Sequence, residues 1–289
     1  MCLRLFVAVF LLGVSIGTRS DDNHHTLWTV KGNHNTVYLL GSVHALKAAD
    51  SELPPEILRA FASAKTLVME INLNEVSANK LLGSVLDLET LPAGQTLAGA
   101  LGPDVYKEFT THAKPLGVDP EFLSHFQPWF AAQMLNQLEL AKRGFDPGAG
   151  VDQQLAKRAQ TDHKDIIGLE TIEEQIEIFA YLSIEEQRHY VLYSLAEVDN
   201  TARGLDAIVS AWRRGDTNVL EQLLGEGFKK SPDLYRKLTT NRNRKWLPTI
   251  TGLLNGDHDC LVVVGALHLV GKDGIVELLQ RQGYQVVQH

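Results

Sequence analysis

The sequence predicts an α/β (α+β) fold in which a central mixed sheet carries a large helical insertion. An apolar run followed by G-x-x-H, a helix and a second strand occurs near the start of the chain, and the same order recurs at its end. Between these two β-GxxH-α-β units, helix start signals and one-face apolar spacing dominate, with one strand candidate near residues 165–170. Strands separated by helices are typical of sheets with parallel pairs.

The first unit covers about residues 26–75. A short β-prone run at 37–40 ends in Gly-Ser-Val-His, which places a histidine at His44. A Pro-Pro pair then marks the start of a helix, because proline is tolerated in the first helical turn. A second apolar run at 66–69 ends at Glu70, and its composition predicts another buried strand.

The second unit covers about residues 258–289 and repeats this plan. The run 261–264 ends in Gly-Ala-Leu-His, which places a second histidine at His268. A helix is predicted from about Gly274 to Gly283, followed by a strand at 284–287. The glycine of each G-x-x-H allows a tight backbone exit from its strand.

The segment between the units, about 76–257, is predicted to be mainly helical. Thr171 and Ser183 each begin an S/T-x-x-E capping box, and Asp119-Pro120 and Ser231-Pro232 are cap-plus-proline starts. One strand interrupts these helices at 165–169 and ends at Glu170. We therefore interpret residues 21–289 as a single domain.

Four polar residues follow the predicted strands directly, namely His44, Glu70, Glu170 and His268. Ligands of open α/β sheets bind at the carboxyl ends of strands, so these side chains are expected to meet on one rim. Two neutral imidazoles and a carboxylate are sufficient to hold a catalytic divalent metal, and zinc, manganese and cobalt are all compatible. A single G-x-x-H carries little information, and both glutamates also suit caps or ion pairs.

Composition excludes several classes of function. The chain has 27 basic and 35 acidic residues and a net charge of −8, which argues against a nucleic-acid partner. Two cysteines exclude a disulfide scaffold and a cysteine-rich metal site.

The N-terminus has the pattern of a secretory signal peptide. Residues 5–16 form an apolar and small-residue run, followed by small and then polar residues. Such a run is short for a membrane span, so we interpret 1–20 as a cleaved signal, with an uncleaved anchor as the alternative. We expect an exported protein, periplasmic or secreted, with no stable membrane anchor after cleavage.

Several motifs in this order resemble those of the TraB/GumN family. They are GSVH ending at His44, LVMEIN around Glu70, GAGVD ending at Asp152, GLETIEEQ from Gly168, NRNRKW from Asn241 and GALH ending at His268. The likeness covers nearly the whole chain after residue 20. The family is related to the Tiki metalloproteases and, more distantly, to erythromycin esterases.

The resemblance implies a divalent-metal-dependent peptidase that uses His44, His268 and Glu70. We expect these three as metal ligands, and Glu170 as a general base or as a partner of a ligand. Arg242 and Asn243 are candidates for polarising a carbonyl or holding a substrate carboxylate, although their cluster also suits a solvated helix face. Asp152 is interpreted as a helix cap.

Three functions compete at this point. The first is an exported metal-dependent hydrolase acting on peptide or amide bonds. The second is a protein that sequesters a peptide or another small ligand without cleaving it. The third is an esterase on non-peptide substrates, which the distant likeness to erythromycin esterases implies. Only the two enzymes release a chemically altered product.

Overall fold

The computed structural model describes residues 25–72, 86–226, 228–229 and 231–289. The predicted signal peptide, residues 1–20, lies outside the described residues. In the described part, no helix combines the length and the apolarity that a membrane span requires.

A six-stranded mixed sheet organises the fold. Its strands are β1 (Leu27–Lys31), β2 (Thr36–Ser42), β4 (Thr66–Ile71), β6 (Asp165–Glu170), β7 (Cys260–Gly265) and β8 (Val286–Gln288). Their order across the sheet is β6-β4-β7-β2-β1-β8. β2, β7, β4 and β6 run parallel, whereas β1 pairs antiparallel with both β2 and β8. A smaller two-stranded sheet joins β3 (Leu46–Lys47) to β5 (Phe145–Asp146). The predicted mixed sheet is confirmed.

The two units contribute to the sheet unequally. In the first unit, β2 and β4 do not pair with each other. Each pairs with one side of β7, so the C-terminal unit inserts its strand between the two strands of the first unit. In the second, β8 lies on the far edge and pairs antiparallel with β1, so it adds nothing to the parallel part. β1 was not predicted. Its residues pair with β2 across the short polar turn that precedes Thr36.

Helices fill the insertion as predicted and flank the sheet. They are α1 (Pro55–Ser63), α2 (Leu86–Glu89), α3 (Leu97–Leu101), α4 (Pro103–Ala113), α5 (Pro128–Lys142), α6 (Val151–Thr161), α7 (Ile172–Ala180), α8 (Ile184–Arg213), α9 (Thr217–Glu226), α10 (Pro232–Tyr235), α11 (Asn241–Leu253) and α12 (Ile275–Arg281). Both capping boxes form, at Thr171 and Ser183. Asp119 caps a short 3-10 turn, whereas the Ser231 hydroxyl caps nothing.

Two apolar cores support this architecture. One surrounds the sheet, where every residue of β7 is buried, and it includes Trp212 and Trp246. The other joins helices of the insertion around Phe109, Trp129 and Leu195. Burial of β7 at the centre of the parallel strands fixes where its carboxyl end emerges. That end carries the second G-x-x-H.

Candidate active site

The carboxyl ends of the parallel strands bring three of the expected site residues together. His44 follows β2, Glu70 lies near the end of β4, and His268 closes the 3-10 turn after β7. A Cβ atom placed on Gly265 would lie 3.2 Å from His44 Nε2, 3.4 Å from Glu70 Oε1 and 3.6 Å from His268 Cδ2. The glycine therefore leaves open the point on which the three side chains converge.

His44 is held from behind by Asp152 in the first turn of α6. Its Nδ1 lies 3.3 Å from Asp152 Oδ1, so an Nδ1–H donates to the carboxylate and Nε2 faces the crevice. Desolvation by the crevice opposes the charged imidazole, but the hydrogen bond and charge of Asp152, together with Glu70, raise the pKa of His44 to about 9. Asp152 thus serves as the partner of a histidine.

His268 is held in the matching way by Asn243. Its Nδ1 lies 2.6 Å from Asn243 Oδ1, and Asn243 Nδ2 donates to the carbonyl oxygens of His268 and Asp273. The Trp246 ring packs beside the imidazole, with centroids 4.6 Å apart. Burial lowers the pKa of His268 to about 3, against the opposing effect of Glu70. The ring is therefore neutral at pH 7, with Nδ1–H donating and a lone pair on Nε2.

Glu70 is an ionised carboxylate with both oxygens engaged. Oε1 accepts from the Gly265 N–H at 2.7 Å, and Oε2 accepts from Arg242 Nη2 at 2.5 Å. Burial raises the pKa of Glu70, but nearby His268, Arg242 and His44 outweigh this effect and lower it to about 2. The carboxylate stays charged across the physiological range.

Glu170 and Arg242 form a buried ion pair behind Glu70. The guanidinium reaches both carboxylate oxygens of Glu170, at 2.6 and 3.2 Å, and Trp246 Nε1 donates to the same carboxylate. Gln175 Nε2 bridges Glu170 and Glu70. Burial alone would lower the pKa of Arg242, but the charges and hydrogen bonds of Glu70 and Glu170 outweigh this effect, so the pKa of the guanidinium is raised above its ordinary value. Glu170, with 1% of its side chain exposed, has the contacts of a partner for Arg242.

Asn243 lies in the interior, with no exposed surface, so it is not part of a solvated helix face. Its amide is fully occupied by His268 and by backbone carbonyls. The expected contact of Arg242 or Asn243 with a substrate stays a prediction. The contacts that the structure does show are with other site residues.

A crevice opens beside His44. A cavity of about 310 Å³ is lined by Ser42, His44, Glu70, Asp152 and Gln175 among others. A second cavity of about 300 Å³ shares Met69, Ile71 and Gln153 with the first, so the two adjoin. The Ser42 hydroxyl oxygen is buried beside this crevice and makes no hydrogen bond within the described residues.

The donor types suit a divalent cation, but their present contacts compete with one. His44, His268 and Glu70 supply two imidazoles and a carboxylate, which are donor types that ligate zinc or manganese, and all three side chains border the point beside Gly265. Across the described ranges, however, no three His, Cys, Asp or Glu side chains form a group that could hold an ion. Arg242 also donates to His268 Nε2 and to Glu70 Oε2, so it competes with a cation for these two side chains.

Sequence reasoning missed several residues that line the site or contact its side chains. Gln175 and Trp246 lie within the motifs GLETIEEQ and NRNRKW, and Ser42 lies within GSVH, so each was visible as a motif position. Nothing in the spacing of Asp152 signalled its contact with His44, since the two residues come from distant parts of the chain.

Comparison with known proteins places this arrangement in a family. The chain is 27% identical over 270 residues to the uncharacterized protein YbaP of Escherichia coli, a match that covers 89% of this chain and 94% of that protein. It is 22% identical over 327 residues to Metalloprotease TIKI1 of Danio rerio, covering 95% of this chain and 65% of that protein.

A similar match joins it to Metalloprotease TIKI homolog of Nematostella vectensis, at 21% identity over 90% of this chain and 66% of that protein. No solved structure matches the chain. The model of the TraB/PrgY/gumN family matches residues 26–288, which include both G-x-x-H motifs and all the contacts described above. The chain belongs to the TraB/PrgY/gumN family.

Proposed function

We propose that this chain is an exported metal-dependent hydrolase that cleaves peptide or amide bonds in the crevice beside His44. One observation carries the proposal, namely the convergence of His44 Nε2, Glu70 Oε1 and the His268 ring on the open point beside Gly265. A reacting group at that point would contact two imidazoles and a carboxylate, which is a common basis for hydrolysis of carbonyl compounds.

His44, His268 and Glu70 would hold the cation. A bound zinc, manganese or cobalt ion supplies an acidified water and polarises the scissile carbonyl. Two of the relatives described above are named metalloproteases, which supports this choice of cofactor.

Residues that contact the proposed ligands set the protonation and the position of the ligand side chains. Asn243 accepts the Nδ1–H of His268, which leaves the lone pair of that ring on Nε2. Asp152 accepts the Nδ1–H of His44, and because the pKa of His44 is raised to about 9, a bound cation would displace the Nε2 proton of this ring. Glu170 and Gln175 position Arg242 and Glu70, and we assign Glu170 this positioning role. Asp152 and Asn243 are therefore expected to affect turnover without touching the substrate.

The lining of the crevice supports a peptide substrate. Its two adjoining cavities share Met69, Ile71 and Gln153, and the walls combine Met69 and Ile71 with polar Gln153 and Gln175. Such walls suit a peptide segment, whose backbone amides need polar partners while its side chains need apolar ones. Export, to the periplasm or outside the cell, rests on the pattern of residues 1–20.

The test is cleavage of a mixed peptide library, read by mass spectrometry, with ester substrates run in parallel. The wild-type protein is expected to release new peptide termini when supplied with a divalent metal. His44→Ala and His268→Ala are expected to lower kcat/KM by about 100-fold or more, while the exposed His34→Ala variant retains full activity.

Each contrary outcome has a definite meaning. Recovery of bound but intact peptide would replace the hydrolase with a sequestering protein. Turnover of esters alone would move the reaction to non-peptide substrates. Full activity in both site variants would show that this crevice is not the active site.

A further inference from the structure

All five N–H groups of the Arg242 guanidinium donate to acceptors within the protein. Nε donates to Glu170 Oε2, Nη1 to Leu238 O and His268 Nε2, and Nη2 to Glu70 Oε2 and Glu170 Oε1. Arginine has five such groups in a fixed planar fork, so the side chain has no donor to spare. Its charge is therefore committed to the site residues in this conformation.

Two of these acceptor atoms belong to residues that would hold the cation. His268 Nε2 is the ring nitrogen that would ligate it, and a lone pair directed at a guanidinium N–H cannot ligate a metal at the same time. Glu70 Oε2 pairs with Arg242, while Oε1 of the same carboxylate borders the convergence point. The charges agree with this competition, because the Arg242 guanidinium pairs with both Glu70 and Glu170. A divalent cation held by Glu70 would be repelled by a guanidinium that stays in this position.

A cavity of about 290 Å³ lies on the other side of Arg242. Its charged lining residues are Glu170, Glu174, Glu177, Lys237, Lys245 and Arg242 itself. Lys245 pairs with Glu174 and Lys237 pairs with Glu186, so Glu177 is the carboxylate of this cavity that makes no ion pair among the described residues. A guanidinium released from Glu70 would find a partner in Glu177.

We propose that Arg242 and a divalent metal ion are alternative occupants of this site, and that metal binds when Arg242 moves into the cavity beside Glu177. The inference rests on the ligand set of the proposed function. It accounts for the hydrogen bonds of Arg242 to two side chains of the proposed ligand set. Arg242 then acts as a built-in competitor for His268 and Glu70.

Zn²⁺ titration by calorimetry tests the competition directly, with Co²⁺ absorption as a second readout of the ligands. Arg242→Ala is expected to bind Zn²⁺ at least tenfold more tightly than the wild type and to show stronger Co²⁺ bands. His44→Ala in the Arg242→Ala background should abolish that gain. Arg244→Ala, an exposed neighbour on the same helix, is the matched control and should leave the affinity unchanged.

Arg242→Ala removes the guanidinium that pairs with Glu70 and Glu170, so the variant is expected to unfold at a lower temperature and to recover when Zn²⁺ is added. Glu177→Lys tests the position beside Glu177 in a chain that keeps Arg242. A lysine in the cavity repels the incoming guanidinium, so Zn²⁺ should bind about tenfold more weakly. Glu173→Lys makes the same charge change on α7 and is the control.

Equal Zn²⁺ affinity in the wild type and Arg242→Ala would overturn the inference, as would no Zn²⁺ binding by either. These outcomes differ from failure of the proposed function. Tighter binding by Arg242→Ala with no cleavage by any variant would uphold the competition and remove the hydrolase. Peptide cleavage by the wild type, with equal Zn²⁺ affinity in the wild type and Arg242→Ala, would uphold the hydrolase and remove the competition.

Discussion

Asn243 provides the sharpest test of how the site is held together. Its side chain accepts from His268 Nδ1 at 2.6 Å and donates to the carbonyl oxygens of His268 and Asp273, and it has no exposed surface. Asn243→Leu keeps a similar volume and removes all three hydrogen bonds. Each partner left buried and unpaired costs about 1–3 kcal/mol, so we expect a loss of about 4 kcal/mol in the free energy of unfolding.

The variant should also lose activity. Without the Asn243 acceptor, His268 has no fixed tautomer, and loss of such a supporting contact typically lowers activity by about 10–100-fold. Urea denaturation followed by circular dichroism measures the stability, and peptide cleavage measures kcat/KM. Asn241→Leu, at an exposed position of the same helix, is the control and should change stability by less than about 0.5 kcal/mol.

A free-energy change below about 1 kcal/mol for Asn243→Leu would refute this reasoning, since a loss of that size corresponds to the net value of a single hydrogen bond. Unchanged turnover in a folded variant would equally refute the tautomer argument. Nitrogen-15 NMR of the His268 ring would show directly whether its proton stays on Nδ1.

Three further variants probe neighbouring contacts. The raised pKa of His44 adds stability that is complete below pH 6.5, the ordinary pKa of histidine, and that is lost as the pH rises through about 9. Asp152→Asn should therefore lower the pKa of His44 measured by NMR and flatten the fall in unfolding free energy across this pH window. An unchanged pKa would contradict the role of Asp152. Gly265→Ala places a methyl at the convergence point, so it should lower kcat/KM at least tenfold while stability changes by about 1 kcal/mol or less; full activity would show that nothing reacts there. Glu170→Gln removes one charge of a buried pair and should cost about 3 kcal/mol in urea unfolding, whereas a neutral effect would mean that Arg242 is satisfied by Glu70 alone.

The parts of the fold that follow from local pattern were predictable. The capping boxes, the strand ending at Glu170 and the repeated strand and G-x-x-H order were all read from the sequence and are present. The order of the strands was not predictable in the same way. No local signal states that β7 inserts between β2 and β4, or that β8 crosses to the far edge beside β1.

The site residues likewise fall into a group that the sequence predicts and a group that depends on tertiary packing. Residues directly after strands could be chosen because parallel strands share a rim, which singled out His44, Glu70, Glu170 and His268. Their partners depend on distant packing. Asp152 looks like a helix cap in sequence because it opens α6, yet tertiary structure directs it to His44. Arg242 sits in a basic cluster typical of a solvated face, but two buried carboxylates hold it in the interior.

The two histidines are proposed to work as a unit, as ligands of one cation. A double-mutant cycle in peptide hydrolysis tests this by comparing kcat/KM for the wild type, His44→Ala, His268→Ala and the combined variant. Residues that work as a unit are strongly non-additive, so the combined variant is expected to lose little more activity than either single variant. Losses that multiply across the cycle would contradict it, because they would mean that the two imidazoles contribute independently.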